Sequence, residues 1–104
     1  MSSSRLETFR AMAAKDPTNA LAQYGLANEL VKAGEFAEAR DVLESYLRAH
    51  DDEGAAYRLL ALASEKLGDA EGAKEAYRRG IDSAGRHGHA SMVSEYEMKL
   101  DDLE

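Results

Sequence analysis

The sequence matches itself at a shift of 34 residues. Leu26 and Ala27 fall on Leu60 and Ala61, Lys32 on Lys66 and Gly34 on Gly68. Ala39 falls on Ala73, Leu43 on Tyr77 and Leu47 on Ile81. The five steps from Gly34 to Ala39 recur from Gly68 to Ala73. A period of this length marks an array of one supersecondary unit, in which each unit buries its apolar face only against its neighbours. About three units are then needed for a stable core, and a chain of 104 residues holds no more than that.

The repeating unit reads as helical. Ala, Leu, Glu, Arg and Lys recur, and the β-branched residues are limited to Thr8, Thr18, Val31, Val42, Ile81 and Val93. These are helix formers with little to favour strands. Six helices are expected. Ser4 with Glu7 makes a capping-box pattern for a first helix over 4–15. Asp16 is a cap with Pro17 at the first helical position for a second, over 17–33, that stops at Gly34. A third spans 35–49. Asp51 and Asp52 are available to cap a fourth over 53–67, ending at Gly68. A fifth starts near Asp69 and fades in the Gly85–His89 stretch, and a sixth spans 90–103. Short connections make consecutive helices antiparallel pairs.

The repeated positions resemble the tetratricopeptide repeat, whose pattern runs aromatic, Leu, small residue, Tyr, then Ala, aromatic and Pro. Tyr57, Leu60 and Ala61 match its first part in the second repeat; Gln23, Leu26, Ala27 and Leu30 match it in the first. Ala39 with Leu43, and Ala73 with Tyr77, match the second part. Asp51 and Gly85 stand where the closing Pro belongs, which is present one repeat earlier as Pro17. The resemblance implies an all-α fold, a right-handed α-solenoid of antiparallel helix pairs forming one domain. Its expected parts are a half repeat over 4–16, repeats over 17–52 and 53–86, and a capping helix over 89–104. In strict register the last helix would turn Ser91, Ser94, Glu95 and Met98 inward, yet its apolar stripe is Met92, Val93, Tyr96, Leu100 and Leu103. A shift of about two residues restores the match, so an insertion is expected in the Gly85–His89 linker.

In this family the first helix of each pair lines a concave groove that holds an extended peptide or a partner helix. Here those helices carry a second stripe beside the packing face: Leu21, Tyr24, Asn28 and Val31 with Lys32, then Ala55, Arg58, Leu62, Glu65 and Lys66. A helix apolar on two faces buries both or keeps one for contact. Tyr24, Val31 and Leu62 would supply apolar contacts, and Asn28, Arg58 and Lys66 hydrogen bonds and charge; the alternative is that Tyr24 and Leu62 complete interhelix packing. Lys32, Arg58 and Lys66 on such a face fit a partner with some negative charge, or are solvated surface cations. Some members clamp a C-terminal carboxylate with paired Lys and Asn. Asn28 sits where one such Asn would, but Tyr24 replaces the Lys one turn earlier and the third repeat is a single helix, so this clamp is not expected.

Other classes find little support. With no Cys there is no thiolate zinc site, disulfide or cysteine nucleophile. His87 and His89 supply two metal ligands at most, and Asp51, Asp52 and Glu53 lack the spacing of a calcium loop. Ser83 lacks the flanking glycines of a nucleophile elbow, and no Gly-rich phosphate loop occurs. No enzyme, cofactor or metal is expected. The net charge is -7. Residues 95–104 hold five acids and one base, so -4 of it lies there and only -3 over 1–94. Basic runs are absent, and a nucleic-acid partner is not expected. With no signal-peptide core after Met1 and no 18-residue apolar run, a cytoplasmic protein without membrane contact is expected. The expected function is a non-catalytic adaptor for a protein or peptide, with self-assembly into a homodimer as the alternative.

Overall fold

The computed structural model describes residues 2–104, with side chains from residue 5 onward. The helices are α1 (Ser2–Lys15), α2 (Ala20–Lys32), α3 (Phe36–Ala49), α4 (Ala55–Lys66), α5 (Ala70–Arg86) and α6 (Ala90–Leu103). No strand occurs among the described residues. The all-α reading and the helix count agree with this. The helices fall into two compact units, one through Asp51 and one from Asp52.

The helix ends follow the expected glycines. Gly34 has φ +79° and Gly68 φ +77°, left-handed values that side chains resist. Glu35 N–H donates to the Leu30 carbonyl and Gly34 N–H to that of Val31, at 2.9 and 3.1 Å. Asp69 and Gly68 repeat both bonds to Ser64 and Glu65 at 2.9 and 3.0 Å. This is the Schellman closure, which satisfies the carbonyls a helix end leaves bare. Gly88 closes α5 in the same way, through His89 to Ala84 and Gly88 to Gly85.

Three helix starts differ from expectation. Asp16 and Pro17 do not open α2. Asn19 N–H donates to the Asp16 carbonyl at 3.1 Å, so Pro17 sits second in a tight turn, where its fixed φ serves equally well. Asp16 Oδ1 accepts from Thr18 N–H and Oγ1 at 3.1 and 2.7 Å. Asn19 caps α2, its Oδ1 accepting from Ala22 N–H at 3.1 Å. The start of α4 lies at Ala55 rather than residue 53. Asp52 still serves it, its Oδ2 accepting from Gly54 and Ala56 N–H at 2.8 and 3.0 Å. The helix α1 begins two residues before Ser4; the Ser4 side chain of the expected capping box lies outside the described residues. Asp69 caps α5 as read, accepting from Gly72 N–H at 2.9 Å.

The unit of α1, α2 and α3 is built on Leu26, Leu30 and Ala39, with Leu6, Phe9, Ala13, Val31 and Val42 packed around them. Phe9 lies flat on α2: a Cβ at Gly25 would stand 2.4 Å from its ring. Glu29 is 2% exposed and pairs with Arg5 at 3.3 Å and Lys32 at 3.4 Å. Arg10 bridges to Glu38.

The unit of α4, α5 and α6 closes around alanines. Ala56, Ala61, Ala63, Ala73, Ala76 and Ala84 are buried with Leu60, Tyr77 and Tyr96. Small side chains let the axes approach, and the aromatic rings fill what remains. Tyr77 and Tyr96 rings stand 5.6 Å apart. The Ser83 hydroxyl donates to the Asp52 carbonyl. On α6, Tyr96 is buried and Met92, Val93, Leu100 and Leu103 are half-buried, whereas Ser91, Ser94 and Met98 are exposed. The apolar stripe is therefore the inward one. The expected linker insertion takes another form: α5 continues as helix through Gly85 to Arg86 and has 17 residues against 14 in α3.

Candidate functional site: the α2 and α4 faces

The face of α2 opposite its core contacts presents Leu21, the most exposed of its large apolar residues at 69%. Tyr24, one turn on, is half-buried, its ring edge-on to Tyr46 of α3 at 5.7 Å. Asn28 is half-buried, and Lys32 is exposed with its ammonium drawn to buried Glu29. Val31 differs from its neighbours in the stripe, because it packs on the Leu26–Leu30–Ala39 cluster. This strip thus sets a bare aliphatic side chain, a phenol edge and an amide along about two turns of one helix.

On α4, Arg58 is exposed but occupied. Its Nε and Nη2 donate to both oxygens of Glu95 on α6, at 2.7 and 2.8 Å, and its guanidinium lies 5.5 Å from the centre of the Tyr96 ring. Two parallel charge-assisted bonds make this a fork-to-fork pair. The Arg58 hydrogen bond holds the Glu95 carboxyl below the usual carboxylate range, with the charge attraction adding to it. Leu62 is half-buried, and Glu65 and Lys66 are exposed. Glu65 accepts from the Tyr77 hydroxyl at 3.3 Å. Burial, then the neighbouring Glu65 charge, pushes the Tyr77 phenol up to about 12.

The two cations of α4 are therefore unequal. Arg58 is balanced inside its own unit, and Lys66 stands two turns further along the same helix. Sequence reasoning missed Glu95 as a partner because the sixth helix leaves the 34-residue frame. The signal was present: 37 residues separate Arg58 from Glu95, one repeat plus one helical turn. Glu29 was missed as well, since a lone acid in an apolar helix reads as solvated. His89, one of the two linker histidines, places Nε2 2.6 Å from Glu53 Oε1. No cluster of three or more metal-ligating side chains occurs among the described residues, and no helix there is long and apolar enough to cross a membrane.

Comparison with known proteins fits this architecture. The tetratricopeptide-repeat profile matches residues 6–63, more than half of the chain. A TPR repeat-containing protein of Pseudomonas aeruginosa is 29% identical over 99 residues, covering 95% of this chain and 94% of the relative. A protein of Bordetella parapertussis, solved in solution, superposes with a TM-score of 0.80 at 26% identity, covering 94% of this chain and 85% of that one. Proteins built from this repeat generally mediate protein–protein interaction and are typically non-enzymatic. With the 34-residue period, the paired helices and the profile in agreement, the chain belongs to the tetratricopeptide-repeat family.

Proposed function

We propose that this protein is a non-catalytic interaction module for a peptide or a helix of a protein partner, with the first helix of each repeat, α2 in one unit and α4 in the other, as a contact face. The observation that carries the reading is Leu21. An aliphatic side chain 69% exposed beside half-buried Tyr24 and Asn28 offers apolar contact next to hydrogen-bonding groups. Leu62 and Lys66 supply the corresponding contacts on α4. Because Arg58 is already paired with Glu95, attraction for an acidic partner falls to Lys66 and to the outer side of Lys32.

The test is affinity capture from the native host, with wild-type protein and Leu21→Glu compared side by side. The reading expects a stoichiometric partner that the variant loses while its circular dichroism stays unchanged. Undiminished capture by a folded Leu21→Glu protein removes the α2 face from the account.

Self-assembly is the second reading, favoured by Met98, which is 70% exposed on the last helix. Light scattering over a concentration series separates the two. A dimer that Met98→Glu dissociates supports assembly, and a mass of 11.4 kDa at every concentration removes it.

A further inference from the structure

Position 23 differs sharply between the two repeats. In the second, its counterpart 34 residues on is Tyr57, whose ring is covered by Arg79 at 5.3 Å from the centroid. In the first, both members of that pair are reduced: Gln23 stands for Tyr57 and Ser45 for Arg79. A cleft of about 150 Å³ lies there, lined by Ala13, Pro17, Gln23, Leu26, Val42 and Ser45. All six belong to the unit of α1, α2 and α3. A space of about 150 Å³ is the size that admits a benzene ring in a protein interior.

The cleft has a polar side. Gln23 is 7% exposed, and its Oε1 has no hydrogen-bond partner. Buried amide oxygens are nearly always paired, because burial strips them of water without replacement. The two ends of the amide exchange by a half turn about the last side-chain bond, so either end can be turned to a polar group without moving the rest of the side chain. The Ser45 hydroxyl, across the cleft on α3, either donates or accepts. The remaining walls are apolar.

We infer that this cleft is a side-chain receptor for a tyrosine of a protein partner, whose ring fills the space between Ala13, Leu26 and Val42 and whose hydroxyl donates to Gln23. The partner then supplies to the first repeat the group that Tyr57 supplies internally to the second. The site is separate from the α2 strip. At 3.6 residues per turn Gln23 lies roughly 120° around the helix from the centre of the Leu21, Tyr24, Asn28 and Val31 stripe. The inference goes beyond the proposed function, and either stands if the other fails.

The probe is p-cresol, the tyrosine side chain alone, with toluene as its counterpart lacking the hydroxyl. Both are titrated into the full chain and followed by amide chemical shifts. The expected result is saturable p-cresol binding that moves the resonances of Ala13, Gln23, Leu26, Val42 and Ser45, with toluene at least tenfold weaker. Gln23→Tyr fills the cleft from within and abolishes binding. Gln23→Leu keeps the room and lowers p-cresol to the affinity of toluene. Should Gln23→Tyr fail to fold by circular dichroism, Ser45→Phe blocks the opposite wall. No saturable p-cresol binding, as when water alone occupies the cleft, overturns the inference. So does equal affinity for the two probes, or binding that survives a folded blocking variant.

Discussion

The ring of Tyr96 lies on the backbone of Gly80. A Cβ at Gly80 would stand 2.7 Å from Tyr96 Cε2 and 2.9 Å from Tyr57 Cβ, closer than carbon atoms approach. Tyr96 is fully buried, and its hydroxyl donates to the Gly54 carbonyl at 2.6 Å. One side chain of α6 thus joins α5 to the turn before α4. Gly80→Ala gains helix propensity but forces the ring aside, for a net loss of about 1–2 kcal/mol. Tyr96→Phe leaves a buried carbonyl without its donor and costs about 1–2 kcal/mol. Urea unfolding of the two variants checks both values, and Gly85→Ala, where an added Cβ meets only Val93 at 4.0 Å, serves as the control without loss.

Asp52 is 9% exposed, and one of its oxygens accepts two backbone N–H groups at the head of α4. Asp52→Ala is expected to cost about 1–2 kcal/mol in urea unfolding, as loss of a helix cap does. Asp16→Ala is expected to cost less, because Asp16 is exposed and organises only a turn.

These caps show how far the sequence reaches. Helix ends were legible at Gly34 and Gly68 because a left-handed closure accepts few residues other than glycine. Helix starts were less so, because Asp16, Asn19, Asp51, Asp52 and Glu53 crowd each approach and several of them cap equally well. The choice between them is made by the turn: Pro17 inside a closed turn moves the start of α2 to Asn19. The same limit applies to the candidate site. Leu21, Tyr24 and Asn28 share a helix face by spacing alone, whereas Val31 packs on the Leu26, Leu30 and Ala39 cluster, a tertiary contact that spacing does not contain. The Arg58–Glu95 pair was hidden because α5 runs three residues beyond the end set by α3, which carries α6 out of register.

The Tyr77 phenol pushed up to about 12 holds its proton more tightly in the folded state than in the unfolded chain. Stability from this group is complete below the ordinary value of 10.0 and is lost as pH rises toward about 12. Absorbance titration at alkaline pH should show a late tyrosine ionisation, and Tyr77→Phe should remove the contribution of this residue.

The Glu95 carboxyl is held below its ordinary value of 4.5 by Arg58. Its contribution is present above that value and is lost as pH falls through the lowered one. Both side chains are more than a third exposed, at 44% and 38%, so the pair contributes at most about 0.5 kcal/mol and less in high salt. Unfolding of Arg58→Gln against wild type should differ at neutral pH in low salt and converge in acid or in molar salt.

A photo-crosslinking residue placed at position 21 and expressed in the native host tests the interaction reading most directly, with position 98 on α6 and position 75 on the exposed side of α5 as comparisons. A discrete adduct with another protein is expected from position 21 and none from position 75. Adducts of the chain with itself from position 98, with none from position 21, would contradict it.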